Sequence, residues 1–168
     1  TGPAVQLHAS CVPNVQTLFQ SAKPQESSSA DGVVVASRLD RALLDFAVAG
    51  GRVLLLPDGK EGSFPLSHEW FLRGAPYIAD HPLLDTVPRQ LFVELQHFDL
   101  AGPVVPDMKY LDQIDPILML WNNHDLDHVK TQGWVFETRV GKGRLLVSAL
   151  RHTQDTNAVG QWLAQVLV

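Results

Sequence analysis

Two short segments in the first third of the chain are apolar at every position, and they constrain the fold more than any other feature. They are Val33–Ala36 and Val53–Leu56. A strand with one face in water alternates apolar and polar residues, whereas a strand covered on both faces is apolar throughout. Between them, Leu43–Ala47 has helical spacing, and Gly50-Gly51 ends that helix. This strand–helix–strand pattern favours a parallel sheet covered on both sides.

The spacing of apolar residues predicts further elements along the chain. These are a strand over 4–9, a helix over Pro13–Ala22, a short helix over Leu66–Leu72, strands over Leu91–Leu95 and Ile117–Leu120, a hairpin of Trp134–Val140 and Arg144–Leu150, and a closing helix over Asp155–Val168. The Ser-rich segment Lys23–Gly32 is predicted to be a surface loop. We therefore predict one α/β domain over residues 1–168, a piece of a larger protein. Its expected fold is flavodoxin-like and doubly wound, a mostly parallel sheet with helices on both faces, plus the C-terminal hairpin and closing helix.

Composition excludes several classes of protein. Hydrophobic residues make up 45% and charged residues 18%, which is typical of a globular chain. The net charge of −5 and the absence of a basic run argue against nucleic acid or an anionic membrane as a partner. No apolar run approaches the ~20 residues that a membrane-spanning helix needs. The single cysteine, Cys11, excludes an intrachain disulfide and leaves a cytoplasmic, periplasmic or secreted location open.

Polar side chains follow four of the predicted strands. In an open parallel sheet, ligands bind beyond the carboxyl ends of the strands, so neighbouring strands would bring these side chains to one rim. The side chains are Asp58 after Val53–Leu56, His97 and Asp99 after Leu91–Leu95, Trp121, His124 and Asp125 after Ile117–Leu120, and Arg151 and His152 after Arg144–Leu150. The sequence does not determine the strand order, so the rim depends on these strands being neighbours.

The rim supplies candidates for acid–base chemistry and for sugar binding. The candidate catalytic groups are the imidazoles His97, His124 and His152. Two tryptophans with polar neighbours, Trp70 and Trp121, suit stacking on a sugar ring. The candidate ligand-binding residues are Asp58, Trp70, Asp99, Trp121, Asp125 and Arg151. For His152, a structural role at the end of a strand remains the alternative.

His124-Asp125-Leu126-Asp127-His128 is the sharpest local pattern in the chain. Two histidines four residues apart would share one face of a helix and could both bind zinc, which makes His124 and His128 candidate metal ligands. The sequence indicates no third ligand, and surface residues around a turn explain the same pattern. We therefore predict no cofactor.

Three segments together resemble the class I glutamine amidotransferase-like superfamily. They are Ala49–Leu56, His81-Pro82 and Gly141–His152. Within that superfamily the pattern is similar to trehalose-utilisation-like proteins and to the C-terminal accessory domain of bacterial glycoside hydrolase family 2 proteins, the β-galactosidase and β-mannosidase type. The resemblance covers about Val33 to Val168 and implies a flavodoxin-like fold.

One departure from the superfamily changes the expected function. The strand after the Gly-Gly turn leads to a nucleophilic cysteine in true amidotransferases, whereas here it leads to Pro57-Asp58-Gly59. The resemblance therefore implies a non-catalytic accessory domain, with the other domains of a parent glycosidase and carbohydrate as partners. The alternative is a small trehalose-utilisation-like enzyme that uses His97, His124 and His152. A third possibility is a partner-binding module on the same scaffold.

Overall fold

The computed structural model describes residues 3–24, 32–58, 64–68, 75–93, 99–153 and 157–168. The α-helices are α1 (Pro13–Leu18), α2 (Arg41–Val48) and α3 (Ala158–Val166). Single-turn 3₁₀ helices lie at Pro82–Leu84, Arg89–Phe92 and Met108–Tyr110. The strands are β1 (Val5–Leu7), β2 (Lys23–Pro24), β3 (Val33–Ala36), β4 (Arg52–Leu55), β5 (Leu66–His68), β6 (Ala75–Ile78), β7 (Val104–Pro106), β8 (Asp115–Asn122), β9 (Lys130–Val140) and β10 (Gly143–Ser148). No described helix is long and apolar enough to cross a membrane.

Eight of the strands form one mixed sheet in the order β2-β1-β3-β4-β10-β9-β8-β6. The pairs from β2 to β10 along this order are parallel. The pairs β10–β9, β9–β8 and β8–β6 are antiparallel. Strands β5 and β7 form a separate antiparallel pair. The sheet is therefore parallel on one side of β10 and antiparallel on the other.

The prediction of a flavodoxin-like, doubly wound, mostly parallel sheet is wrong. Antiparallel neighbours need no crossover helix, and the described residues contain only three α-helices. The prediction failed because an apolar run reports burial on both faces but not the direction of the neighbouring strands. Residues Ile117–Leu120 are all buried, yet they lie in β8, whose two neighbours are both antiparallel to it.

Three predicted elements also differ from the structure. Leu66–Leu72 was expected to be helical, but its described part is the strand β5. Leu91–Leu95 was expected to be a strand, but Leu91 and Phe92 end a 3₁₀ helix whose single turn buries Phe92. The predicted closing helix begins three residues later than expected, where the Asn157 side chain accepts a hydrogen bond from the Gly160 amide at 2.8 Å.

Two clusters of buried side chains cover opposite faces of the sheet, because successive residues of a strand point to opposite sides. One cluster joins α2 to one face of the sheet. Its members are Val34, Ala36, Leu43, Ala47, Val53, Leu55, Phe136, Leu145 and Val147. The other cluster joins α1 and α3, which contact each other, to the opposite face of the sheet. Its members include Val15, Phe19, Val33, Val35, Leu54, Leu146, Leu163, Ala164 and Leu167. The two clusters explain why β3 and β4 are apolar at nearly every position.

The turn between β9 and β10 holds α2 against the edge of the sheet. Its two loop residues are Gly141 and Lys142, and Gly141 has a φ of +61°, the conformation that glycine supplies at the first loop position of a type II′ turn. Gly143 follows, and a Cβ atom there would lie 2.1 Å from the carbonyl oxygen of Gly51 and 2.2 Å from that of Ala47. Only glycine allows this approach of backbone to backbone.

We predict that Gly143→Ala lowers the free energy of unfolding by about 3 kcal/mol, because both obstructing atoms belong to the backbone and cannot rotate away. Urea unfolding measures the change. Gly102→Ala is the matched control, since the nearest atom to its new Cβ is the flexible Arg151 side chain at 3.3 Å. Equal stability of the two variants would contradict the role given to Gly143.

Candidate functional site

The loops that follow β1, β3, β4 and β10 meet at one edge of the sheet, because these four strands are parallel. We call this the carboxyl edge. Asp58 and Arg151, both expected at a rim, line one cleft of about 230 Å³ there, together with Thr153 and the apolar side chains of Leu66 and Val104. The structure therefore brings two of the predicted rim residues together.

Asp58, which lines this cleft, forms an ion pair with Arg38. The Arg38 guanidinium Nε lies 3.0 Å from Asp58 Oδ2, and the Asp58 side chain is only 5% exposed, against 44% for Arg38. A carboxylate this far from water depends on a nearby cation, because burying it alone would cost several kcal/mol. Arg38 thus stabilises the negative charge of the Asp58 carboxylate in the loop after β4.

A chain of hydrogen bonds joins the loop after β1 to the loop after β3. Ser10 Oγ accepts from the amides of Ser37 and Arg38, at 3.2 Å each. It also lies 2.8 Å from His8 Nδ1, and His8 Nε2 lies 3.3 Å from Asp40 Oδ2. The order serine–histidine–aspartate resembles that of a catalytic triad, but two amide protons already occupy the lone pairs of the hydroxyl oxygen. The chain is therefore a brace between loops.

The sequence reasoning missed His8, Ser10 and Arg38. A usable signal was present, since His8 lies near the end of the predicted strand 4–9, Ser10 comes directly after it, and only Ser37 separates Arg38 from Val33–Ala36. The carboxyl-end rule was applied to four later strands but not to these two. Asp40 Oδ1 also caps α2 by accepting a hydrogen bond from the Leu43 amide at 2.8 Å.

His152 lies in the core, where it ties β10 to α3. Its Nδ1 lies 2.8 Å from the Gly160 carbonyl oxygen, so this nitrogen carries the proton and donates it. Nε2 then accepts from Ser148 Oγ at 2.6 Å. Burial lowers the pKa of His152 from 6.5 to about 4. The side chains of both residues are almost fully buried, so this serine–histidine pair joins parts of the fold rather than facing a substrate.

Cys11 is also committed to the fold. Its Sγ donates to the Val35 carbonyl oxygen at 3.1 Å, and the side chain is buried. Burial raises the pKa of the thiol to about 11, so it is protonated at neutral pH. A nucleophilic cysteine acts as the thiolate, which this environment disfavours.

Trp121, His124, Asp125 and His128 lie far from the cleft, at the end of the β8–β9 hairpin. Pairing between β8 and β9 continues to Asn122 opposite Lys130, five residues beyond the last pair of β9 with β10. At ~3.4 Å per residue, the hairpin projects about 17 Å past β10. We call residues 121–130 the hairpin tip. It carries three of the candidate rim residues, Trp121, His124 and Asp125, away from Asp58 and Arg151.

The hairpin tip is a turn and not a helix, so His124 and His128 do not share a helix face. His128 Nδ1 lies 3.0 Å from Asp125 Oδ2, and both side chains are exposed. Among the described residues, no three His, Cys, Asp or Glu side chains cluster as a metal site requires. Of the remaining candidates, Asp99 is exposed, while Trp70 and His97 lie outside the described residues.

One comparison with known proteins identifies a family. A family model with the description "Domain of unknown function (DUF8487)" matches residues 34–168. No curated protein matches the chain. The matched range contains β3 from its second residue, β4 to β10, α2 and α3, and it begins after the β1 loop that carries His8 and Ser10.

We predict that His152 makes stability depend on pH between about 4 and 6.5. In this window His152 binds a proton in the unfolded chain but not in the folded chain. The contribution of His152 to stability is therefore complete above pH 6.5 and is lost as pH falls towards about 4. The loss amounts to about 3 kcal/mol. Urea unfolding at several pH values checks this: the stability difference between the wild type and His152→Gln should shrink towards pH 4. A stability difference that does not change with pH would contradict the prediction.

We also predict that Arg38→Met lowers the free energy of unfolding by about 2 kcal/mol at pH 7, because it removes the guanidinium that pairs with the buried Asp58 side chain. Chemical denaturation measures the effect. The control is Arg41→Met, which breaks the exposed Arg41–Asp45 pair within α2 and should change little. If the two variants lose the same stability, the buried pair has no special role.

Proposed function

The chain belongs to the family described as a domain of unknown function (DUF8487), and we propose that this member is a non-catalytic accessory domain of a bacterial carbohydrate-active enzyme. In this proposal the domain packs on a neighbouring domain of the same polypeptide through its hairpin tip. The observation that carries the proposal is that the hydroxyl, thiol and imidazole groups best placed for chemistry already hold the fold together.

Three such groups support a structural role at the carboxyl edge. Ser10 receives two amide hydrogen bonds from the loop after β3. Cys11 donates to a carbonyl of β3 and has a raised pKa. His152 is buried between Ser148 and Gly160. A nucleophile or general base has to reach a substrate, and these groups would lose their internal bonds in doing so.

The hairpin tip supports a docking role. Three large apolar side chains are exposed on it: Trp121 at 52%, Leu126 at 79% and Val129 at 56%. Apolar side chains gathered on one projecting element are typical of interaction sites. Their polar neighbours His124, Asp125, Asp127 and His128 would form the rim that surrounds the apolar centre of a protein interface.

The carbohydrate part of the proposal depends on the sequence resemblance to the accessory domains of family 2 glycoside hydrolases. That resemblance enters only as a likeness of segments, since the fold it implied is wrong. The glycosidase carboxylates of such a protein would belong to another domain. A neighbouring domain is therefore the partner that the proposal requires.

The alternative, a small sugar-modifying enzyme using His97, His124 and His152, gains less support. His152 is buried, whereas His124 lies on a hairpin that projects past the end of β10. Two imidazoles in such different environments do not converge on one substrate. The cleft beside Asp58 and Arg151 contains neither of these imidazoles in its lining.

The test compares Trp121→Ser/Leu126→Ser with the wild type, both as the isolated chain and within the natural polypeptide. Both side chains are exposed, so the melting temperature of the isolated chain should not fall. In the natural polypeptide we expect severalfold faster proteolysis at the junction with the neighbouring domain, because the interface loses its apolar centre.

The matched control is Val93→Ser, which removes an apolar side chain that is 63% exposed and far from the tip in sequence. Its proteolysis should match that of the wild type. Three results would overturn the proposal: a natural polypeptide with no further domain, an unchanged junction in the double variant, or hydrolysis of an aryl glycoside by the isolated chain.

A further inference from the structure

Three arginines lie side by side at the edge of the sheet opposite the carboxyl edge. Arg52 of β4 is paired with Arg144 of β10, and Arg144 is also paired with Arg139 of β9. Residues paired across strands project to the same face, and neighbouring strands are ~4.8 Å apart. The three side chains therefore leave the sheet within about 10 Å of one another. We call them the arginine row.

The charge of the arginine row is only partly balanced. Like charges directly opposite each other destabilise a sheet, so such a row needs anions near it. Glu137 supplies one, with its Oε1 2.7 Å from Arg144 Nη1. Within the described parts of the chain, no hydrogen bond or ion pair holds the side chain of Arg52 or Arg139. The surplus of positive charge is unexpected in a chain with a net charge of −5.

A cleft of about 480 Å³ lies against the arginine row, within the size range of small-molecule sites. Arg52, Arg144, Glu137 and His81 line it. His81 Nδ1 accepts from the Leu83 amide at 3.2 Å, so the ring proton is on Nε2, which remains a donor. The other lining residues are apolar and include Leu54, Leu83 and Leu146.

The geometry points to a binding site for a small organic anion in this cleft. The ligand would carry an oxyanion group, a phosphate or a carboxylate, on an apolar body. The oxyanion meets the Arg52 guanidinium, whose planar fork donates two parallel hydrogen bonds to such groups. The apolar body lies on the floor formed by Leu54, Leu83 and Leu146. Arg139, next in the row, adds positive potential without lining the cleft.

This site is independent of the proposed docking function. It lies at the start of β4 and β10, whereas the hairpin tip extends beyond their ends. The ligand need not displace Glu137 from Arg144. A single carboxylate cannot neutralise three guanidinium groups, so the row still attracts an anion while this pair is intact. Binding of an anion would relieve the repulsion along the row and stabilise the folded chain.

The experiment titrates the full chain with phenyl phosphate, benzoate, inorganic phosphate and phenol, using calorimetry and amide NMR shifts. We expect phenyl phosphate or benzoate to saturate one site, with shifts at Val33, Leu54 and Leu146, and each separate fragment to bind more weakly. Whichever of the two binds more tightly identifies phosphate or carboxylate as the preferred group. Arg52→Gln should weaken the better probe about tenfold, since it removes the unpaired guanidinium.

Arg41→Gln is the control, because it removes an exposed arginine of α2 that does not line the cleft, and it should leave the affinity unchanged. Arg139→Gln provides a second variant on the row and should weaken binding less than Arg52→Gln. The inference is overturned if neither probe saturates by about 10 mM, or if Arg52→Gln binds as tightly as the wild type.

Discussion

The burial of β3, β4 and β10 on both faces is the constraint on which the rest of the structure depends. Apolar clusters cover these strands from both sides, so the strands carry polar side chains only near their ends, at Arg52, Arg144 and Ser148. A polar or charged side chain can then lie only at one of the two ends of the strands, where the chain meets water. This arrangement makes the two edges of the sheet the places where chemistry or binding can occur.

The two edges of the sheet differ in how their charged and polar side chains are paired. At the carboxyl edge, polar groups bond to one another: Arg38 pairs with Asp58, and Ser10 joins two loops. His152 is enclosed by the fold in the same region. At the other edge, the arginine row has one described carboxylate partner, Glu137. The polar groups of the carboxyl edge bond to one another and so stabilise the domain, whereas the surplus positive charge of the other edge is available to a ligand.

The sequence predicted the carboxyl-edge cleft in part. Asp58 and Arg151 meet because β4 and β10 are parallel neighbours, which is the condition that the rim required. His124 and Asp125 do not join them, because the β8–β9 hairpin continues five residues past β10. The length of this projection depends on how far β8 and β9 pair with each other. The arginine row was not predicted, since Arg52, Arg139 and Arg144 become neighbours only through strand register.

The sequence by itself determined which segments are buried on both faces, where the β9–β10 hairpin turns and which residues begin α2. These properties are local, because they depend on the apolar pattern, on Gly141 and on the capping side chain of Asp40. Only the tertiary structure decided the direction of the neighbouring strands, the projection of the hairpin tip and the alignment of the three arginines. Those properties depend on hydrogen bonds between strands distant in sequence, which the pattern of any single segment does not contain.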